Sequence, residues 1–520
     1  MSAMHSRLLA CLLLGLTSVP LQSCATQERP RAELDHLMIL VFDQMRPDYI
    51  DRFNLQNFKR LRSSSRNYPE AYVGHLGSQT VVSHLVIPTG LLPKSLPWQD
   101  DTFWDEPGVL GKAGAAYETG GLTLEQFWMA LDRIPKEQFL PTRIRNKFGR
   151  RVFSVGEKNY STELLGTPAA DVIVTLRPLS GQCSPFGVRV PDYIASNPRF
   201  SVDCSERYGT GFSTIYALDG SRYVPGRDTA HLGGDVWAAD AALEIMKHEE
   251  WSGIFMTFGG IDKIGHMLGE HDGHGLTSVP SEYHLADATR IADEQLGRIR
   301  HALQTMGLAD RTLFIVTADH GGQKNDFYLG NNKYQSCCPF ENSRSNVEPP
   351  YWIEHLNQLG KLKTSYQDTS LKLWLADHSA ENERAIVQGM ADIPGMTEVY
   401  ALRKTGEEFH YEQVLSRLES QPERFKSWAR LHNVELLATM AAPAAPDLVG
   451  LLADGFGFGR IGDHGGAQEK VQRIPLIINV PGEAPATHAR PLRLVDISSE
   501  VTTLLRLAPA PQQVQSLPTR

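Results

Sequence analysis

The segment GIDKIGH places an acidic and an imidazole side chain, Asp262 and His266, four residues apart. It follows the apolar run SGIFMTF, residues 252–258, which is typical of a buried strand. Carboxylates and imidazoles are both ligands that zinc and similar divalent metals accept. The pair is therefore a candidate part of a metal site where a strand ends.

The same arrangement recurs at other apolar runs. Asp43 ends the run HLMILVFD, TADHGG places Asp319 and His320 after another run, and GDHGG supplies His464 shortly before RIPLIINV. Any one of these residues alone is more often a turn former or a helix cap than a ligand. Their recurrence favours a metal centre, because three Asp and three His suffice for two divalent ions. The six candidate ligands are Asp43, Asp262, His266, Asp319, His320 and His464.

A candidate nucleophile, Thr80, stands in the segment GSQTVVSHLVIPTGLLP. It precedes an apolar helical stretch that is predicted to end near Thr89 and Gly90. A threonine at such a position is usually only an N-cap. The free N–H groups of a helix N-terminus also attract an anion, however, and a metal ion touching the oxygen makes its alkoxide accessible. Thr80 is therefore predicted to be both a nucleophile and a metal ligand.

The candidate residues follow elements of one fold class. Nearly continuous apolar runs alternate with helical patterns, which predicts a doubly wound α/β sheet, mostly parallel, with helices on both faces. Ligands of such sheets bind beyond the carboxyl ends of the strands, where the candidates stand. The runs besides HLMILVFD are residues 150–156, 171–176, 252–258, 311–319 and 473–480.

The alternation defines one catalytic domain, predicted over residues 37–480. It is broken at about 330–446 by a loop rich in Pro, Asn and Ser, followed by a charged helical segment near 408–440. This stretch is predicted to be an insertion or cap. Residues 481–520 form a C-terminal segment whose tail is predicted to be disordered.

The N-terminus has the pattern of a signal peptide, residues 1–23, followed by a linker over 24–36. Its apolar stretch is too short to span a bilayer comfortably. LQSC resembles a bacterial lipobox in which Cys24 is lipidated, although Gln22 is not the usual small residue. Lipidation with membrane attachment and simple cleavage both stay open. The protein is expected to be exported to the periplasm or cell envelope, or secreted.

Composition limits the partners. The 520 residues include 51 Lys and Arg against 60 Asp and Glu, a net charge of −9. Binding to a nucleic-acid backbone normally needs a basic excess, so no nucleic acid is expected as a specific partner. A small anionic substrate is compatible, because one local cationic site can act against the global charge.

Five segments together resemble the alkaline phosphatase superfamily, in its type I phosphodiesterase and nucleotide pyrophosphatase branch. They are, in order, VFDQMRPDY, TVVSHLVIPTG, IDKIGHMLG, VTADHGG and GDHGG. The resemblance implies an alkaline phosphatase-like fold, two zinc ions, and a covalent phosphothreonine intermediate at Thr80 on a small phosphate ester. It also implies that one ion is held by Asp262, His266 and His464, and the other, beside Thr80, by Asp43, Asp319 and His320.

The chain departs from that family's pattern around the substrate. Ser83 replaces the Asn that nucleotide pyrophosphatases place three residues beyond the nucleophile, although its hydroxyl can still donate a hydrogen bond. Related monoesterases use a Lys/Arg pair and a later Asn; here the candidates are Lys158 with Tyr160, and Asp100 or Asp101. Ser83 and Lys158 are the predicted substrate-binding residues, with a surface position of Lys158 as the alternative. Loss of a cationic clamp penalises a dianionic monoester most, which favours a phosphodiesterase.

Other functions remain compatible with the same residues. Phosphomonoester and phosphonate hydrolysis would use the same metals and threonine. A sulfatase is disfavoured, because CSPFG at Cys183 lacks the final Arg of C-x-P-x-R. A metal-binding surface lipoprotein without activity is the non-enzymatic alternative, although all seven key positions carry residues suited to catalysis.

Overall fold

The computed structural model describes residues 33–105, 108–166, 168–179, 182–203, 234–268, 281–329, 351–458 and 462–511. The predicted signal peptide, Cys24 and the tail from residue 512 lie outside this part of the chain. Among the described residues, no helix combines the length and the apolar character needed to cross a membrane.

The strands of the described residues are, in chain order, β1 (His36–Phe42), β2 (Arg66–Asn67), β3 (Thr102–Asp105), β4 (Ala115–Glu118), β5 (Arg151–Gly156), β6 (Val172–Leu179), β7 (Gln182–Val188), β8 (Val202–Asp203), β9 (Trp251–Phe258), β10 (Thr312–Thr317), β11 (Gln323–Lys324), β12 (Phe327–Tyr328), β13 (Leu362–Gln367), β14 (Ser370–Leu375), β15 (Met396–Thr405), β16 (Glu408–Ser416), β17 (Leu448–Leu452), β18 (Phe456–Gly457), β19 (Gly462–Asp463), β20 (Leu476–Asn479) and β21 (Ala486–Thr487).

The α-helices of the same residues are α1 (Tyr49–Arg52), α2 (Gln56–Ser63), α3 (Thr80–Thr89), α4 (Leu124–Leu131), α5 (Leu140–Phe148), α6 (Asn159–Gly166), α7 (Asp192–Ala195), α8 (Gly234–His248), α9 (Gly260–Leu268), α10 (Ser281–Thr305), α11 (Tyr351–Leu359), α12 (Ala380–Ala391), α13 (Glu423–Ala438), α14 (Glu469–Gln472) and α15 (Asp496–Leu504).

A ten-stranded sheet forms the centre, in the order β21-β2-β20-β10-β1-β9-β5-β6-β7-β8. Its five middle strands, from β10 to β6, are mutually parallel, whereas β20 and β7 pair antiparallel at either side. Strands β1, β9 and β10 are buried along their whole length, as expected for parallel strands covered by helices. The predicted mostly parallel α/β sheet is confirmed, and each predicted apolar run contributes a strand to it.

Neighbouring strands β10, β1 and β9 determine where the candidate residues meet. Asp43 directly follows β1, Asp319 lies two residues after the end of β10, and α9 begins two residues after the end of β9. Because parallel strands point their carboxyl ends to the same edge, these three connections converge at one place.

A second sheet lies within the region that interrupts the strand and helix alternation. Its five strands, in the order β13-β14-β17-β15-β16, pair antiparallel and enclose a separate apolar core. We call residues 351–452 the inserted region. The sequence prediction of a helical segment near 408–440 is wrong for its first part: residues 408–416 form β16, and the α-helix of this segment is α13. The first five residues of EFHYEQVLS alternate polar and apolar side chains, a period of two that favours a strand paired with β15.

Candidate active site

Asp262 and His266 lie four residues apart on α9, so both side chains point from one face of the helix. The Asp262 Oδ1 atom is 3.0 Å from His266 Nε2, and the His464 ring completes the group with its Nε2 3.5 Å from the same oxygen. All three side chains are buried. The four-residue spacing in GIDKIGH therefore places a carboxylate and an imidazole side by side, where both can bind the same ion.

The hydrogen bonds of the two imidazoles indicate which kind of ligand fits between them. His266 Nδ1 donates to the Gly462 carbonyl at 2.8 Å, and His464 Nδ1 donates to the Ser78 carbonyl at 3.2 Å. In the neutral rings, both Nε2 atoms then carry lone pairs, and they face each other at 3.0 Å. Two facing lone pairs beside a carboxylate repel unless a cation lies between them. The residues therefore fit a divalent metal ion.

A second group adjoins the first. One oxygen or nitrogen atom from each of Asp43, Asp262 and His320 lies within 4.8 Å of the others, so Asp262 belongs to both groups. His320 Nδ1 donates to the Gly321 carbonyl at 2.9 Å, which leaves Nε2 as an acceptor 3.3 Å from Asp43 Oδ1. This group likewise offers only acceptors to a central cation.

Asp319 stands beside the second group. Its Oδ1 accepts hydrogen bonds from the backbone N–H of Gln44 and of His320, whereas Oδ2 is buried without a hydrogen-bond partner, 3.3 Å from His320 Nε2. Burial, together with the charge of Asp43, raises the pKa of Asp319 well above its usual value. An orphaned buried carboxylate oxygen beside a second carboxylate fits a metal ligand.

Thr80 opens α3, whose N-cap is the preceding Gln79 in an extended conformation. The hydroxyl is therefore not used as a cap. Its Oγ1 lies 3.3 Å from His320 Nε2, 3.3 Å from Lys158 Nζ and 3.5 Å from Asp43 Oδ1. The helix ends at Gly90, in the left-handed conformation that suits glycine, as the sequence predicts.

Lys158 is buried in the centre, so the alternative of a surface lysine does not hold. Its Nζ lies 2.6 Å from Asp43 Oδ2 and 2.7 Å from Asp262 Oδ2. Burial alone would lower the pKa of Lys158, but the two carboxylates hold it well above its usual value. Burial would likewise raise the pKa of Asp262, but in the metal-free protein the charges of a protonated His266 and of Lys158 hold that pKa well below its usual value. The single ammonium thus stabilises both carboxylates and offsets one of their two negative charges.

The remaining predicted residues are less central. Ser83 lies one turn beyond Thr80 on α3, with its Oγ 3.4 Å from His75 Nε2. Asp100 forms an ion pair with Lys372 at 2.8 Å. Asp101 is close enough for its charge to interact with Lys158, and burial, then the charge of Asp100, raises its pKa to about 7.

Sequence reasoning missed several buried polar residues around the centre. His84 Nδ1 donates to the Thr80 carbonyl at 2.8 Å, and its Nε2 accepts from the Thr257 hydroxyl at 3.0 Å. The four-residue spacing of Thr80 and His84 in a predicted helix is a signal in the sequence that the two residues lie close together. For Lys372 and Asp368 of the inserted region the sequence has no such signal, because the partners that link them to the active site, Asp100, Gln79 and Gly465, are distant in sequence.

Replacing Lys158 with methionine is expected to destabilise the metal-free protein by about 3–5 kcal/mol, because Asp43 and Asp262 lose their buried counter-charge. Bound metal ions would supply that charge, so the metal-loaded variant should lose much less. Thermal unfolding of both forms measures the difference. Lys263→Met is the matched control: Lys263 pairs with buried Glu157 at 2.9 Å and should show an equal loss in both forms. If Lys158→Met lost as much stability with metal as without it, this would contradict the idea that Lys158 and the metal ions compensate the same two carboxylates.

Comparison with known families gives one match over most of the chain. The family described as type I phosphodiesterase / nucleotide pyrophosphatase matches residues 37–460. A search of curated proteins finds no match.

Solved structures share the fold at low sequence identity. Wild-type alkaline phosphatase PafA superposes with a TM-score of 0.61 at 14% identity, covering 92% of this chain and 97% of that one. Human ectonucleotide pyrophosphatase/phosphodiesterase 5 gives 0.50 at 11% identity, covering 92% and 96%. An inactive variant of the murine protein, in complex with AMP, gives 0.50 at 14% identity, covering 92% and 97%. The alkaline phosphatase-like fold is thereby established.

Proposed function

Because the chain belongs to the type I phosphodiesterase / nucleotide pyrophosphatase family, and is thus a hydrolase of phosphoric ester bonds, we propose that it is a phosphodiesterase acting through a phosphorylated Thr80. The observation that carries the proposal is the position of the Thr80 hydroxyl. It lies at a helix N-terminus, within 3.5 Å of Asp43, His320 and Lys158. The substrate is a small phosphate ester.

We assign two metal ions, as zinc, to the centre. Asp262, His266 and His464 would hold one; Asp43, Asp319, His320 and Thr80 would hold the other. Three imidazoles among carboxylates suit zinc better than magnesium or calcium, which prefer oxygen ligands. When bound, the two ions stabilise charge on the phosphoryl oxygens and favour the alkoxide of Thr80.

Thr80 supplies the nucleophile in two balanced steps. Its Oγ1 bonds to phosphorus as the bond to the leaving oxygen breaks; the threonine proton passes to solvent, and the leaving oxygen gains one. Water then adds to phosphorus, the bond from phosphorus to Oγ1 breaks, and Oγ1 regains a hydrogen. Lys158 donates a hydrogen bond to Oγ1 at 3.3 Å and so stabilises negative charge there. The N–H groups at the start of α3 also favour an anion.

The charge around Lys158 favours a diester. Lys158 and Ser83 are the proposed substrate-binding residues. Tyr160 stands where related monoesterases carry a second cation, and Asp101, whose pKa is raised to about 7, adds negative charge above that pH. A monoester dianion would be repelled more strongly than a diester monoanion. Phosphomonoester or phosphonate hydrolysis would require another cationic donor for the additional charge.

Initial rates on the metal-loaded protein test this preference. We expect bis(p-nitrophenyl) phosphate to be hydrolysed at least about tenfold faster than p-nitrophenyl phosphate, corresponding to about 1.4 kcal/mol of discrimination. Measured at a pH above 7, where Asp101 is ionised, Asp101→Asn removes one negative charge and should narrow the ratio of diester to monoester rate by raising the monoester rate. A dominant monoester rate would contradict the proposal. Rates at the solvent background for both would favour phosphonates or the non-enzymatic alternative.

We also propose that the protein is exported to the periplasm or cell envelope, or secreted, with residues 1–23 as its leader. Lipidation of Cys24 would attach it to a membrane. Mass spectrometry of the mature N-terminus from cells distinguishes a lipidated Cys24 from simple cleavage. An intact Met1 would contradict export by this leader.

A further inference from the structure

Lys372 is a buried cation of the inserted region. It lies on β14, fully enclosed, and its Nζ contacts Asp368 Oδ2 at 2.6 Å, Asp100 Oδ2 at 2.8 Å and the Gly465 carbonyl at 2.8 Å. Enclosing an ammonium is costly unless charge and hydrogen bonds compensate it. Here two carboxylates and one carbonyl from three separate chain segments do so.

The contacts of Lys372 continue to the two loops that carry active-site residues. Asp368 Oδ2 also accepts from Gln79 Nε2 at 2.7 Å, and Gln79 is the N-cap directly before Thr80. Gly465, whose carbonyl accepts from Lys372, directly follows His464. We call this set the Lys372 network; its members are Gln79, Asp100, Asp368, Ser370, Lys372 and Gly465.

Further hydrogen bonds tie the same loops together. The Ser370 Oγ lies 2.7 Å from both the Gly465 carbonyl oxygen and Asp368 Oδ1, and it can donate its one proton to either. The Thr369 N–H donates to the His464 carbonyl at 3.2 Å. Gly465 has φ +96°, and a Cβ atom there would lie 2.1 Å from Gln79 Nε2 and 2.2 Å from Asp368 Oδ2. The close approach leaves the loop after His464 little room to shift.

We propose that Asp368 and Lys372 are positioning residues through which the inserted region fixes Thr80 and His464 relative to each other. The inference rests on the proposed function, which gives Thr80 and His464 their roles. Asp368 acts on Thr80 through Gln79, and Lys372 acts on His464 through Gly465. The inserted region is thus a part of the active-site framework rather than only a cover over it.

The proposed positioning role predicts changes in metal affinity and in kcat, but little change in KM. Displacing the loop of His464 should weaken metal binding, as outer contacts of metal ligands typically change affinity about 10–100-fold. Displacing Thr80 should lower kcat, because attack requires alignment with phosphorus. Neither Asp368 nor Lys372 contacts a described ligand side chain of the centre, so KM should change little.

The test uses three full-length variants. Asp368→Asn removes the charge that orders Gln79 and Lys372; Gln79→Leu removes only the amide donor and keeps the buried ion pairs. Glu398→Gln is the matched control, because Glu398 is a buried carboxylate of the same sheet that bonds Tyr400 and Asn433. The measurements are the zinc dissociation constant by chelator competition, the visible absorption of the cobalt-substituted protein, kcat and KM for bis(p-nitrophenyl) phosphate, and the melting temperature.

We expect Asp368→Asn to weaken zinc binding at least about tenfold and to alter the cobalt spectrum. Gln79→Leu should lower kcat at least about tenfold with KM unchanged within about twofold. Glu398→Gln should match the wild type in zinc affinity, spectrum and kcat.

Wild-type zinc affinity and kcat in Asp368→Asn and Gln79→Leu would overturn the positioning role while leaving the proposed function intact. Equal losses in Glu398→Gln would assign them to general destabilisation and overturn it as well. If Asp368→Asn fails to fold, Gln79→Leu alone decides. A wild-type protein that binds no zinc and cleaves no diester would refute the proposed function, and with it the inference.

Discussion

Replacing Thr80 with alanine is expected to lower kcat for bis(p-nitrophenyl) phosphate by about 1,000-fold or more, because no bond to phosphorus can then form at this position. The variant should keep its fold and both metal ions, since the threonine oxygen is only one of several proposed ligands. Initial rates, elemental analysis and thermal unfolding on one preparation measure the three properties together.

Two further variants test whether the loss of activity in Thr80→Ala is due to the missing Thr80 hydroxyl. Thr80→Ser keeps a hydroxyl at the same position and should retain measurable turnover. Thr89→Ala removes a hydroxyl from the other end of α3, where it bonds the Leu85 carbonyl at 2.6 Å, and should leave kcat near the wild-type value. Full activity in Thr80→Ala would refute the nucleophile assignment.

Replacing His464 with alanine is expected to reduce the metal content from two ions to one per chain and to abolish most turnover. His464 Nε2 faces His266 Nε2 at 3.0 Å, so its loss removes one of the three donors of that group. Asp262→Ala should lower the metal content further, because Asp262 belongs to both groups. Elemental analysis of purified, metal-loaded variants gives the ratio.

His432→Ala is the matched histidine control. His432 is half-buried and packs against Trp428, with ring centroids 3.9 Å apart and ring planes tilted by 36°. It should retain the wild-type metal ratio. An unchanged ratio in His464→Ala and Asp262→Ala would show that the proposed ligand set is wrong.

The fold and the family could be predicted because their signals are local. Buried parallel strands are continuous apolar runs, and the four-residue spacing of Asp262 and His266 projects both from one helix face, as observed. The resemblance to type I phosphodiesterases, which rested on five short segments, is confirmed by a match over residues 37–460.

The rest depended on contacts between distant residues. Nothing in SVGEKNYST indicates that Lys158 is buried between Asp43 and Asp262, because both partners come from distant parts of the chain: Asp43 follows β1 and Asp262 lies on α9. Likewise, the partners of Lys372 lie on three separate segments. The sequence pattern alone therefore could not distinguish a buried lysine with several charged and polar contacts from a surface lysine. Residues 408–416 form a strand, not a helix, and the sequence signal for that strand is short: only EFHYE keeps a period of two, and the charged segment after it is helical.

The covalent intermediate is the most direct test of the account. Excess metal-loaded protein is mixed with bis(p-nitrophenyl) phosphate, quenched in acid within the first turnover, digested and examined by tandem mass spectrometry. We expect a p-nitrophenylphosphoryl group on Thr80, transient in time and absent from Thr80→Ala. A burst of p-nitrophenol without any modification of Thr80, or with modification at another residue, would contradict the proposed mechanism.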